Sequence, residues 1–159
     1  MGDFTHIDEN GQVRMVDVTE KKATLRTASA QAVIRMNQDT FDKICTGHIK
    51  KGNVLETARI AGIMGAKKTA ELIPMCHPIN ITHAKIDFSP DPQKKLIKII
   101  AAVSISAQTG VEMEALCAVS TAALTIYDMC KSSDREMIIT DICLLEKKGG
   151  KSGKFTRSC

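Results

Sequence analysis

The sequence predicts a single α+β domain over residues 1–159, in which a four-stranded antiparallel sheet carries two main helices on one face. Three patterns carry that expectation. Ala84, Ile86 and Phe88 alternate with polar residues, and after Pro90-Asp91-Pro92 the alternation resumes at Ile97, Ile99, Ala101, Val103 and Ile105, which is the signature of a long hairpin. Asn53 stands three residues before Glu56, an N-cap with a Glu at the third helical position. Thr109-x-x-Glu112 reads as a capping box that opens a long apolar helix.

Taken in order, Asn10-Gly11 between Ile7 and Val13 is a two-residue hairpin signal with Val13 to Val18 as its second strand, and residues 1–30 read as a mobile N-terminal segment. Gln31 to Met36 is a strand, and Gln38 to Cys45 a short helix closed by Gly47. The helix from Val54 is expected to run until Pro74 stops it, with Ala58, Gly62 and Ala66 on a face of small residues beside Ala61 and Gly65. Each interior Gly costs about 1 kcal/mol against Ala, so a close packing partner is implied. The helix after Thr109 extends to about Lys131, Met137 to Leu145 gives the last strand, and residues 147–159 form a basic, Gly-rich tail. The order βαββαβ is the ferredoxin-like arrangement, which by itself names no function.

Composition narrows the classes. Six cysteines lie far apart with no C-x-x-C pair, and the first residues show no basic region followed by an apolar stretch, so a reducing cytoplasm is the expected home. The longest apolar run, Ala115 to Tyr127, is broken by Ser120, Thr121 and Thr125 and falls short of the ~20 residues of a membrane span. A net charge of +4 suits an anionic ligand, but with no Trp, one Tyr and four Phe there are few platforms for stacking bases, so neither nucleic acid nor membrane is expected as a partner. A helix apolar nearly all round predicts an oligomer that buries its second face.

Four groups of residues can carry chemistry. Asp128 and Lys131, three apart, share one face at the polar end of the apolar helix; alone they read as a solvated ion pair worth ~0.2–0.5 kcal/mol, but a carboxylate in the last turn opposes the helix dipole, which raises its pKa towards a catalytic range. Glu112 reads first as a cap, whereas Glu114 has no local task and can accept from ring N–H groups. Pro74-Met75-Cys76-His77-Pro78 stiffens a loop around an imidazole; His83 follows with no third ligand nearby, so no metal site is expected. Lys50, Lys51, Lys67, Lys68 and the tail from Lys147 to Lys154 either are solvated surface or hold an anion.

Three stretches together are far more specific: Thr57-Ala-Arg-Ile-Ala-Gly-Ile63, Leu72-Ile-Pro-Met-Cys-His-Pro78, and Gly110-Val-Glu-Met-Glu-Ala-Leu116 running on to Leu124-Thr-Ile-Tyr-Asp-Met-Cys-Lys131. They closely resemble the cyclic pyranopterin monophosphate synthase family of molybdenum cofactor biosynthesis, over nearly the whole chain from Met15 to Gly153. The resemblance implies a lyase that converts 3′,8-cyclo-7,8-dihydroguanosine 5′-triphosphate to cyclic pyranopterin monophosphate and pyrophosphate by acid–base chemistry. It implies no required cofactor, Mg²⁺ being able to accompany the substrate triphosphate, and a homohexamer, a trimer of dimers, with sites at subunit interfaces. By motif, Asp128 looks like the acid–base residue with Lys131 its partner and Lys51 a further functional lysine. Met75, Cys76, His77, Glu112, Met113 and Glu114 resemble substrate-contacting positions, joined by Arg26, Lys147 and Lys154. The alternative reading is a non-enzymatic anion- or RNA-binding module, supported by the lysines and opposed by the lack of aromatics.

Overall fold

The computed structural model describes residues 11–151 and 153–158. Its elements are β1 (Thr24–Arg35), α1 (Gln38–Cys45), α2 (Val54–Lys67), the single turn α3 (Thr69–Leu72), β2 (His83–Asp91), β3 (Leu96–Ala107), α4 (Glu112–Cys130), β4 (Ile138–Lys148) and β5 (Phe155–Thr156). The strands lie in the order β2-β3-β1-β4-β5, all pairs antiparallel. With α2 and α4 on one face, this α+β architecture is consistent with the ferredoxin-like arrangement, extended by the two-residue β5.

The period-two pattern decides which face is buried. Ala28, Ala30, Ala32 and Ile34 of β1 meet Ile97, Ile99, Ala101, Val103 and Ile105 of β3 in a single core with Ala115, Ala118, Val119, Ala122, Ala123 and Ile126 of α4. Small residues on both layers bring α4 close to the sheet. On its other side α4 meets α2, where Gly62 is wedged in: a Cβ there would overlap the Ile86 side chain and come 2.9 Å from the carbonyl oxygen of Ala118. Much of α4's surplus apolar surface is therefore covered within the chain, while Leu124 stays exposed together with Ile60 and Met64 of α2. α4 is by length and composition apolar enough to cross a membrane, which the broken run in the sequence did not suggest; half of that window is buried against the chain's own sheet and α2.

Local signals were honoured where the cap is a short side chain. Asn37 Oδ1 accepts from the Thr40 amide at 2.8 Å and starts α1, and Asn53 Oδ1 accepts from the Glu56 amide at 3.1 Å and starts α2. The buried Asp134, past α4, accepts from the Asn37 amide at 2.8 Å and so ties the end of α4 to the turn between β1 and α1.

Other expectations are corrected. The Thr109–Glu112 capping box does not form: Val111 occupies the cap position of α4 with no side-chain cap bond, because the Glu112 carboxylate folds back over Gly110 and lies 4.0 Å from Lys147 Nζ. α2 ends at Lys67 rather than at Pro74, since Thr69 Oγ1 bonds to the Ala66 carbonyl at 3.0 Å and the chain turns into α3. β1 begins at Thr24, so the segment set apart as residues 1–30 overlaps the sheet, and in place of a strand over Val13 to Val18 only Val13 makes an isolated bridge. Asn10 lies outside the described residues. β4 reaches Lys148, and the tail beyond it returns as β5, with Phe155 opposite Lys147.

The Gly62 contact makes a specific prediction. Gly62→Val should destabilise the fold by roughly 1–3 kcal/mol through overpacking, read as a lower midpoint of chemical denaturation, whereas an exposed helical substitution such as Lys67→Ala should leave it nearly unchanged.

Candidate functional site

The rigid proline-bracketed loop crosses the start of α4, and the two build a cleft of about 250 Å³ lined by Met75, Cys76, His77, Gly110, Glu112, Met113 and Glu114, with Val16, Val18, Lys21 and Thr109 completing the wall. Six residues chosen from sequence thus converge on one cavity. His77 is oriented by a hydrogen bond from Nε2 to the Val16 carbonyl at 2.8 Å, which also holds the segment before β1 over the cleft. Val16, Val18 and Lys21 were missed as wall residues; nothing in their spacing announces them, because a long-range imidazole bond places them.

Glu114 is the unusual group. Only 3% exposed, it still faces the cleft, and His77 and Glu114 together separate it from a neighbouring cavity that reaches Lys67 and Asn80. Burial pushes its carboxyl up to about 7, with the Glu112 charge adding to the rise and a bond to its own amide opposing it. The group therefore exchanges its proton near neutrality, which suits both acceptance and donation of hydrogen bonds. The Cys76 thiol is raised by burial and by Glu114, so it sits there as a neutral thiol rather than an activated nucleophile.

Asp128, Lys131 and Lys51 also come together, but elsewhere. Lys131 Nζ lies 2.6 Å from Asp128 Oδ1, and Lys51 Nζ donates to the Asp128 carbonyl at 2.9 Å with its own distance to Oδ2 at 3.9 Å. The expected rise in the Asp128 pKa does not occur. The hydrogen bond from Lys131 and the charges of Lys131 and Lys51 hold it below the usual carboxylate range, overriding the helix dipole, while Asp128 in turn raises Lys131. Both side chains are more than half exposed.

The two clusters occupy opposite ends of α4. Glu114 and Asp128 are fourteen residues apart on one helix, about 21 Å at 1.5 Å per residue, so within one chain Asp128 does not border the cleft at Glu114. The other cations divide similarly. Arg26 donates from Nε to the Ala107 carbonyl at 3.2 Å and from Nη2 to the Gln108 carbonyl at 3.1 Å, next to the start of α4. Lys147 lies near Glu112, and Lys154 lies 3.9 Å from Glu146. Among the described residues no group of three or more His, Cys, Asp or Glu is placed to hold a metal.

Comparison with known proteins finds similarity over nearly the whole chain. The model of the MoaC family matches residues 15–150. The chain is 62% identical over 155 residues to the cyclic pyranopterin monophosphate synthase of Desulforapulum autotrophicum, covering 98% of this chain and 95% of that protein. It is 57% identical to the synthase of Desulfatibacillum aliphaticivorans, covering 98% of each chain, and 59% identical to that of Magnetococcus marinus, covering 99% of this chain and 96% of the other.

The raised Glu114 group fixes a pH dependence. In the unfolded chain it titrates near 4.5 and in the folded one near 7, so the folded state holds the extra proton between those values, and its contribution to stability is complete below 4.5 and lost as pH rises to about 7. Glu114→Gln should remove that slope and leave the variant more stable than the parent at pH 8, by on the order of 1–3 kcal/mol. Denaturation at pH 5 and pH 8 measures both.

Proposed function

Because the chain belongs to the MoaC family, we propose that it is a cyclic pyranopterin monophosphate synthase, a lyase acting in molybdenum cofactor biosynthesis on 3′,8-cyclo-7,8-dihydroguanosine 5′-triphosphate. The observation that carries the reading at the level of residues is the convergence of Met75, Cys76, His77, Glu112, Met113 and Glu114 on one cleft. The binding-module alternative is not favoured, since the relatives that match across this chain are named as synthases.

Remaking a purine-derived ring as a pterin while closing a cyclic phosphate is a series of proton transfers without net redox change, and groups able to trade roles at short range speed each one. Asp128 is ionised and can take a proton; Lys131 and Lys51 are ammonium donors beside it, within a distance at which the proton can be passed on. Glu114 faces the ring end of the cleft as an acceptor for N–H groups, and the pyrophosphate leaves against cations. No cofactor is needed for these steps, and Mg²⁺ comes as the counter-ion of the triphosphate.

A complete site takes one end of α4 from each of two chains. The separation of the clusters supports this, and so does the exposed apolar strip of Ile60, Met64, Leu72 and Leu124, which a partner would cover. We assign a homohexamer, a trimer of dimers, with sites at the interfaces. The five described cysteines are unpaired, which fits a reducing cytoplasm.

Supplying the cyclised triphosphate should yield both cyclic pyranopterin monophosphate and pyrophosphate; Asp128→Asn and Lys131→Ala should keep the fold and lose turnover by orders of magnitude. Near-normal rates in either variant refute the acid–base assignment. If sites are shared, mixing dissociated and reassembled Asp128→Asn and Glu114→Ala chains should restore up to about a quarter of parental activity, because random pairing leaves that share of interfaces with both native halves. Mixtures as inactive as their parts place the site within one chain.

A further inference from the structure

We propose that Asp134 is a positioning residue of the reaction: by fastening the start of α1 to the end of α4, it sets the place of Lys51 beside Asp128. The inference rests on the acid–base reading above and deepens it, since neither the motifs nor the relatives' names assign Asp134 a part.

Asp134 is only 5% exposed, and both of its carboxylate oxygens are engaged. Oδ1 accepts from the Glu136 amide at 3.0 Å, two residues on, which is all that a turn after α4 requires. Oδ2 accepts from the Asn37 amide at 2.8 Å, 97 positions earlier in the chain. That second bond serves no local purpose. It is charge-assisted and buried, so its loss strands a backbone donor away from water.

α1 is the lever between this bond and the catalytic cluster. Asn37, held through its amide, caps α1 by accepting from the Thr40 amide at 2.8 Å. At the other end the Thr46 and His48 amides return to the Asp42 and Lys43 carbonyls, both at 2.9 Å, so the next loop starts as a continuation of the helix. Lys51 lies in that loop and donates to the Asp128 carbonyl at 2.9 Å. The path closes on itself: Asp128 and Asp134 flank the end of α4, and α1 with its loop joins them by the other route.

The lever depends on its anchor. α1 enters the core through Thr40, Phe41 and Ile44, and the buried Thr40 hydroxyl has no hydrogen-bond partner among the described residues, so packing alone grips the helix lightly. Its eight residues make a rod about 12 Å long, so a tilt of about 5° at Asn37 moves the far end by about 1 Å, a misplacement able to cost ~100-fold in rate. The Cys130 thiol, pushed up to about 11 by burial, is drawn down by Lys51 and raised by Asp134, so both charges reach one side chain at the last residue of α4.

The test compares Asp134→Asn, which keeps the shape but leaves one acceptor for two amides, with the parent and with Asp39→Asn, an exposed position on α1, each well below its unfolding midpoint. In Asp134→Asn, kcat with the cyclised triphosphate should fall about tenfold to a hundredfold with a smaller change in KM. Hydrogen exchange at the amides of residues 46–53 should quicken while that of β3 stays, and the control should match the parent. In a Lys51→Ala chain the same substitution should remove less than about a further twofold, because a residue that acts through Lys51 has nothing left to position. A parental kcat in Asp134→Asn, an unaltered loop exchange, or the same fold-loss in both backgrounds overturns the proposal. Where the Lys51→Ala chain is too slow to follow, kcat and loop exchange decide together. A parent that forms no product while its loop exchange still answers to Asp134 upholds the tether and refutes the enzymatic reading.

Discussion

The close approach of α2, α4 and the sheet is the constraint on which the rest depends. It is made of missing side-chain volume: alanines along β1 and α4 and a glycine where α2 crosses, so that α4 lies straight against two layers at once. A helix gripped along both flanks cannot shift its ends independently. Glu114 is thereby presented to the proline-braced loop at one end and Asp128 to the Lys51 loop at the other, with Asp134 fastening that second end to the start of α1.

Electrostatics divides the two ends more sharply than composition does. At the wet end, ammonium groups surround a carboxylate and keep it charged; at the dry end, a carboxylate is buried with another acid for a neighbour and binds its proton near neutrality. One helix thus carries a persistently ionised, weakly basic carboxylate at its C-terminus and a neutral-range acid in its first turn. The helix dipole would have favoured the opposite assignment at both ends, and in each case the local surroundings prevail.

What the sequence made legible was local. Hairpin alternation from Ala84 to Ile105 and the Asn53 cap depend on residues within a few positions of one another, and each forms as its pattern demands. Helix length, too, was written there: fourteen residues between Glu114 and Asp128 already imply two separate places. Features that failed to show depend on distant partners. Glu112 turned from capping because Lys147, thirty-five positions later, stands near it, and the burial of Glu114 follows from the loop around His77 folding across α4. The tail's return as β5 hangs on so short a pairing that no periodicity could reveal it.

The buried carboxyl in the first turn of α4 has a thermodynamic consequence for ligand capture. A guest that needs its charged form must expel the resident hydrogen ion into solvent, so association around neutrality is coupled to buffer ionisation, and the observed heat will vary with the buffer's own enthalpy while apparent affinity strengthens in alkaline media.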